Sequence, residues 1–407
     1  MYKVKKEDKN NETKKVRLIT GNTTGLIRRR LSAFIFIQIL SIVHNPVKAI
    51  KEVLRIRRLR ASVHGNQKIL KFVKSEGKYF WSVDYPGLPS ENLRKIIKNE
   101  FYRNYRTSRK SSSLIPLQTI IWGITNRCML RCKHCYEWNN IDQQDKLTIS
   151  QLKEILLKIK QQGIRHIQFS GGEPLIRFND LIELIRNASS DKIDCWLLTS
   201  GFGLTENKAM ALKEAGLKGV NISLDHWNKE AHNLFRNNPE SYDWVAKSIK
   251  NCKNAGIMVS VSLCATCEFV SMENLMQYGA LAGKLGAHFI RILEARQVGR
   301  FAEQKVLLGK NQIETITKFT LQMNTDPGFK KIPIVTFFGY HQRKLGCLGA
   351  GNRYMYIDPN GDFHACPFCR VATGNALSDS FDEGIKNLQN KGCQKFSTIK
   401  IYDRITQ

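Results

Sequence analysis

The chain has 407 residues, enough for two or three domains with a substantial core, and its 64 Lys and Arg against 35 Asp and Glu give a formal net charge of +29. The excess is uneven: residues 1–110 hold 27 basic and 8 acidic side chains, so +19 of the +29 lies there and points to an anionic partner for that region. Its 11 cysteines, an odd number at short clustered spacings, argue against a secreted disulfide framework and for thiol ligands in the reducing cytosol.

Residues 1–20 are rich in Lys, Asn and Thr and are expected to be disordered, and residues 1–30 as a whole read as a basic tail. Arg28, Arg29 and Arg30 precede an apolar stretch, Leu31 to Val43, which is shorter than the roughly 20 residues a membrane span needs. No small-residue cleavage site follows, as a signal peptide would require. Asn45 and Pro46 instead read as an N-cap and first helical position, opening a helix over Val47–Arg60. Val47, Ile50, Val53 and Leu54 fall on one side of it and Lys48, Lys51, Arg55 and Arg58 on the other. Two readings stand: residues 28–60 lie on an anionic membrane surface as a peripheral anchor, or the helix packs on the protein's own core with a solvated basic face. Nucleic acid ranks behind both, because no recognised binding module appears. Two short β-type runs around Glu76-Gly77 suggest a hairpin within residues 69–84, Tyr85 to Pro89 reads as a turn, Ser90 caps a helix to about Arg106, and Arg109 to Ser113 reads as a linker. Residues 31–113 thus form a basic, mainly helical region.

From Thr119 the pattern becomes a regular β/α alternation. Strands are expected at Thr119–Ile124, His166–Phe169, Asp194–Leu198, Gly219–Ser223, Met258–Leu263 and Phe289–Leu293. Helices are expected at Ser150–Gln162, Asn179–Ala188, Glu206–Glu214, Tyr242–Asn254 and Met272–Leu285. Gly163, Gly216 and Gly256 stand where helix C-termini belong, and Thr148 with Gln151 makes a capping box. Six strands with intervening helices predict a parallel α/β sheet, open or barrel-like, over residues 114–335. Ligands of such sheets sit beyond the carboxyl ends of the strands.

Chemistry concentrates at that rim. Cys128, Cys132 and Cys135 follow the first strand in a C-x3-C-x2-C arrangement. A structural zinc takes four protein ligands, so three thiolates leave an open position, and a thiolate-only set suits an iron–sulfur cluster. A zinc knuckle or scattered reduced cysteines are the plainer alternatives. Ser170-Gly171-Gly172-Glu173-Pro174 follows the second strand, where paired glycines let backbone approach a ligand and free their N–H groups. Taken alone, that stretch is a tight βα turn.

The cysteine spacing, the aromatic Tyr136 directly after it and the glycine turn in register together resemble the signature of the radical SAM enzymes, over about residues 115–400. The resemblance implies a partial (β/α)6 TIM-like barrel. Cys128, Cys132 and Cys135 would hold three irons of a [4Fe–4S] cluster, with S-adenosylmethionine on the fourth. Gly171, Gly172, Glu173 and Pro174 would hold its α-amino group, Tyr136 would lie against adenine, and Ser200 and Ser223 at the ends of the third and fourth strands would meet its polar groups. Arg236 would approach the methionine carboxylate. Ser262 and Arg291 are weaker candidates that read equally as rim residues. One electron, from a flavodoxin- or ferredoxin-like donor, would cleave the sulfonium–C5′ bond, and the 5′-deoxyadenosyl radical would take hydrogen from an unreactive C–H.

The C-terminal residues 336–407 carry Cys347, a Pro-Asn-Gly-Asp hairpin at 359–362, the pair Cys366 and Cys369, and Cys393. The order C-x13-G-x4-C resembles the opening of the SPASM extension, but the later run of cysteines is absent. Four cysteines suffice for a single auxiliary [4Fe–4S] cluster, and a zinc hairpin is the alternative that spacing does not separate. Cys264 with Cys267, Cys195 and Cys252 read as core packing. The substrate implied is a peptide, from the SPASM resemblance, or a membrane-associated small molecule, from the basic apolar start. A non-enzymatic iron–sulfur electron carrier or zinc-binding adaptor is the rival class, and it has no need of the glycine turn beside an open site.

Overall fold

The computed structural model describes residues 16–64, 68–106 and 117–393; most of the basic tail, the linker at 109–113 and the last residues of the C-terminal segment lie outside them. The first strand, β1 (Arg17–Ile19), falls inside the stretch expected to be disordered. It gains order by pairing antiparallel with β2 (Phe72–Ser75), so a distant partner decides its state. Between β1 and β2 stand α1 (Thr23–Val43) and α2 (Pro46–His64). The chain turns from β2 into β3 (Lys78–Phe80) through Glu76 (φ 47°) and Gly77 (φ 74°), the paired positive φ values of a tight hairpin. Ser90 Oγ accepts the Leu93 N–H at 3.1 Å and opens α3 (Glu91–Arg106).

The apolar stretch of α1 is spent on the protein itself. Ile39 and, from α2, Ala49 are fully buried against Phe101 of α3, with Ile35, Phe36, Leu40, Val53 and Ile56 packed around them. Val53 therefore leaves the face on which the helical pattern grouped it, while Val47, Ile50 and Leu54 stay 62%, 52% and 45% exposed. No described helix is long and apolar enough to cross a membrane.

The β/α alternation follows in chain order: β4 (Thr119–Gly123), α4 (Ile149–Gln161), β5 (His166–Ser170), α5 (Phe178–Ser190), β6 (Asp194–Thr199), α6 (Glu206–Glu214) and β7 (Gly219–Ser223). It continues with α7 (Lys229–Arg236), α8 (Ser241–Asn254), β8 (Met258–Ala265), α9 (Met272–Leu285), β9 (Phe289–Glu294), α10 (Lys310–Thr325), β10 (Ile334–Phe337) and α11 (Phe338–Leu345). The expected capping box of Thr148 and Gln151 opens α4. The chain ends in the hairpin β11 (Tyr354–Ile357) and β12 (Phe363–His364), then α12 (Phe381–Lys391).

The sheet is larger than the six strands expected. β10 pairs parallel with β9 and β11 parallel with β4, so the order β10-β9-β8-β7-β6-β5-β4-β11 is parallel throughout, and β12 completes the nine-stranded sheet as an antiparallel edge. Side chains alternate across it. Ile120 and Trp122, Ile167 and Phe169, and Ile290 and Ile292 join the core under the helices. Ile121, Gln168, Asn221 and Arg291 line the barrel interior. The N-terminal strands close its amino end, where Val73, Phe80 and Val83 pack on Trp196, Met258, Phe289 and Ile334. Burying side chains of this size stabilises by roughly 1.5–3 kcal/mol each, so the basic region is part of the barrel's structure. The carboxyl end is left for the site.

Candidate active site

The cysteine loop leaves β4 and is fixed at its root by two carboxylates. Asp145 accepts the Thr125 hydroxyl and the Asn126 N–H, each at 2.8 Å, and Asp142 accepts the Cys128 N–H at 3.1 Å. Its far end is held from the β9 side. Arg300 donates its N–H to the Cys135 carbonyl at 3.0 Å, its guanidinium to the Arg131 carbonyl, and lies 4.4 Å over the Trp138 ring. Gly299 (φ 57°) comes so close that an added Cβ would collide with the Cys135 carbonyl oxygen. Neither Gly299 nor Arg300 carries a local sequence signal.

The glycine turn grips the same loop. Its N–H groups were expected to be free for a ligand; instead Gly172 donates to the Thr125 carbonyl at 2.7 Å and Glu173 to the Arg127 carbonyl at 2.8 Å. Gly171 sits at φ 148°, and a Cβ on Gly172 would run into the Arg127 carbonyl. Glu173 is 1% exposed and has both oxygens engaged. One accepts from the Thr199 hydroxyl at 2.7 Å and the Leu175 N–H at 3.2 Å, the other from the Ser200 N–H at 2.8 Å and its hydroxyl at 2.5 Å. Burial pushes this carboxyl up in pKa against the pull of those donors. Glu173 and Ser200 thus tie the end of β5 to the end of β6, and Pro174 starts the short 3-10 turn that follows.

Arg236 reaches the loop from the end of α7. Its Nε lies 2.5 Å from Asp225 Oδ2 and its Nη1 3.6 Å from Cys132 Sγ. Asp225 also accepts the Cys264 N–H at 2.9 Å and donates its own N–H to His232 Nδ1 at 3.1 Å. Burial opposes charge on Asp225, yet Arg236 overrides it and holds the carboxyl below its usual range. Lys133 donates its N–H to the Phe235 carbonyl at 2.9 Å, and the His134 ring stacks on Phe235 at 4.9 Å. Arg236 is therefore bound to the middle cysteine, and Asp225 is what positions it. Ser223, the last residue of β7, sits beside Ser262, three residues before the end of β8. Arg291 lies deeper, facing Gln168 and Asp84.

Burial pushes all three loop thiols up, Cys135 to about 12, and Cys132 adds to the effect on both Cys128 and Cys135. An all-sulfur donor set beside one guanidinium fits an iron–sulfur cluster, whose iron replaces the thiol protons. Among the described residues no three Cys, His, Asp or Glu side chains stand close enough to hold a single metal ion.

The second cysteine group gathers around Tyr354, which feels Cys347, Cys366, Cys369 and Cys393 together. Burial raises Cys347 to about 12, with Cys393 next in effect. The two groups are joined. Glu137, directly after Tyr136, accepts the Tyr356 hydroxyl at 2.6 Å and the Arg370 guanidinium at 2.6 and 2.9 Å. Tyr136 lies in the join, its hydroxyl 3.3 Å from Ser170 Oγ and its ring edge-on to Phe368 at 6.1 Å. Cys195 and Cys252 are fully buried in the core, and Cys264 packs beside Ala295 and Phe301.

The family profile described as the radical SAM superfamily matches residues 122–273, from the end of β4 to the start of α9. The chain carries a radical SAM superfamily domain over these residues. The radical SAM domain is similar to that of a mycofactocin maturase, MftC, of Mycolicibacterium smegmatis, 28% identical over 273 residues, which is 64% of this chain and 67% of the relative. It is also similar to an AdoMet-dependent heme synthase of Oleidesulfovibrio alaskensis, 26% identical over 307 residues, covering 70% of this chain and 78% of the relative. Among solved structures, Streptococcus suis SuiB bound to precursor peptide SuiA aligns with TM-score 0.55 at 16% identity, over 86% of this chain and 80% of SuiB. At that identity the likeness speaks for the fold alone.

Proposed function

We propose that the chain cleaves S-adenosylmethionine reductively at a [4Fe–4S] cluster held by Cys128, Cys132 and Cys135, and directs the 5′-deoxyadenosyl radical at a C–H bond of a peptide or membrane-associated small molecule. The observation that carries this reading is the clamp on the cysteine loop: Gly171 to Glu173 on one side, Arg236 on a second, Gly299 on a third. The bound cluster supplies the single electron that breaks the sulfonium–C5′ bond. The protein's own residues prepare its place. Arg236 puts positive charge against the Cys132 sulfur, which favours the thiolate, and Asp225 fixes that guanidinium. Glu173 holds the end of β6 so that Ser200 and Ser223 can meet polar groups of the ligand, and Tyr136 offers ring surface to adenine. The barrel walls exclude water from the reacting carbon.

Cys347, Cys366, Cys369 and Cys393 would hold one auxiliary [4Fe–4S] cluster, and a flavodoxin- or ferredoxin-like protein would deliver electrons. The peptide alternative draws support from the maturase MftC and from SuiB with its precursor peptide; the small-molecule alternative draws it from the heme synthase. The exposed Val47, Ile50 and Leu54 with Lys48, Lys51 and Arg58 support contact with an anionic membrane face. In the test, reduced, reconstituted protein given S-adenosylmethionine releases 5′-deoxyadenosine and Cys132→Ala does not. A fully reconstituted wild type that releases none would return the chain to the electron-carrier class.

A further inference from the structure

A cavity of about 510 Å³ runs through the barrel interior, from the N-terminal segment at Trp81 and Asp84 to Tyr136 and the second cysteine group at Cys366 and Cys369. Its volume suits a mid-sized organic ligand. Much of its wall is apolar, including Leu198, Leu293, Phe337 and Phe338. Arg291 sits in this wall, 7% exposed, with its guanidinium 5.1 Å over the Phe338 ring and only long polar contacts. Nη1 is 3.3 Å from Gln168 Oε1, Nη2 is 3.4 Å from Asp84 Oδ1, and Nε is buried with no partner among the described residues. Two other cations lining the cavity are engaged: Lys71 Nζ binds the carbonyls of Phe329 and Ile332 at 2.8 Å each, and Arg353 binds both oxygens of Glu100, while Lys68 stands exposed at the surface. Asn221 Oδ1 and Thr320 Oγ1 line the same cavity and are also buried without partners among the described residues.

We propose that Arg291 receives a carboxylate of the substrate, and that the substrate is an organic acid with a largely apolar body. A guanidinium presents Nε and Nη as a side-on fork that matches the two oxygens of a carboxylate. The long contact to Asp84 is the one that yields, because Asp84 is partly exposed, with 26% of its side chain accessible, and turns toward solvent as the acid enters. Gln168 remains to orient the fork, Thr320 can donate to the acid, and the apolar wall takes its body. This assignment rests on the reading of the barrel as the reaction chamber of a radical enzyme.

The test compares 1-pyrenebutyrate with 1-pyrenebutanol, which share one fluorescent apolar body, as probes of the full-length reconstituted enzyme. The wild type should bind the carboxylate about tenfold or more tightly than the alcohol. Arg291→Gln should erase that preference and leave alcohol binding unchanged, which also shows an intact cavity, and Arg291→Lys should keep part of it. A wild type that binds neither probe or prefers neither, or an Arg291→Gln variant that retains the preference, overturns the proposal. Release of 5′-deoxyadenosine by the wild type is measured in parallel. Its absence beside an intact carboxylate preference defeats the radical reading alone; its presence without that preference defeats the Arg291 assignment alone.

Discussion

Glu137, buried, and Arg370, half-buried, form a bidentate ion pair, at 2.6 and 2.9 Å, between the residue two beyond Cys135 and the residue next to Cys369. The two cysteine groups are thereby held at a fixed separation. Glu137 is 3% exposed, so loss of its partner leaves a charge in a poor solvent. Arg370→Ala is expected to cost about 3–5 kcal/mol in denaturant unfolding, and the double replacement Glu137→Leu with Arg370→Met clearly less. Additive losses in that double-mutant cycle would show that the pair is not coupled.

Two glycines are needed for space rather than for flexibility alone. A methyl on Gly172 meets the Arg127 carbonyl and one on Gly299 the Cys135 carbonyl, so each alanine variant must push the cysteine loop away. We expect Gly172→Ala and Gly299→Ala to keep the barrel's far-ultraviolet circular dichroism while losing about four irons per chain on reconstitution. Gly163 at φ 72° is the control: no described atom lies within 4 Å of its added methyl, so its alanine variant should cost only the left-handed backbone, about 1–2 kcal/mol, and no iron.

Complete anaerobic reconstitution is expected to give about eight irons per chain, two cubane clusters. Cys132→Ala should leave about four and abolish 5′-deoxyadenosine release, while Cys347→Ala with Cys366→Ala should leave about four and keep the release. A wild type that saturates near four would remove the auxiliary cluster from the account, and one binding zinc at the second group would replace it.

What could be read before the fold was known is what local chemistry decides. The strands from β4 to β9 declare themselves through apolar runs, and the helices between them end at Gly163, Gly216 and Gly256, whose positive φ values only a glycine adopts cheaply. The three-cysteine motif is local too. β10 is a four-residue strand that owes its state to β9, and β11 joins β4 from more than two hundred residues away. Arg370 finds Glu137 across 233 positions, and no pattern in either neighbourhood announces it. The glycine turn was recognised, yet who accepts its N–H groups is set by carbonyls of another loop. Val53 left its expected face because Phe101 supplied a core beneath it.

Stability should fall in mild acid. Burial lowers His166 and His288 from 6.5 to about 4, and His288 Nδ1 accepts the Val259 N–H at 3.0 Å, a bond that protonation would end. Both rings stay neutral in the fold while the unfolded chain takes up protons near pH 6.5, so the unfolded state binds more protons between the two values. Stability from this source is complete above about pH 6.5 and is lost progressively down to about pH 4. The thermal midpoint should drop through that window, and His288→Asn, which keeps an acceptor but cannot titrate, should flatten the slope. An unchanged slope in that variant would assign the acid sensitivity elsewhere.

The exposed row Val47, Ile50 and Leu54 recurs at a spacing that keeps it on one side of α2. Lys51 and Arg58 fall on that same side, not opposite as the sequence pattern grouped them, with Lys48 at its edge. An apolar stripe of this kind gains little from water, and each basic side chain near an anionic bilayer contributes about 1 kcal/mol. The protein should therefore sediment with vesicles containing phosphatidylserine and less with purely zwitterionic ones, with binding weakened by added salt. Ile50→Asp with Leu54→Asp should release it to the supernatant. Because both positions are solvent-facing, the change should move unfolding by no more than about 0.5 kcal/mol, so lost binding would report the surface and not the fold. Sedimentation that is unchanged by the double substitution and by salt would assign the basic face to solvent alone.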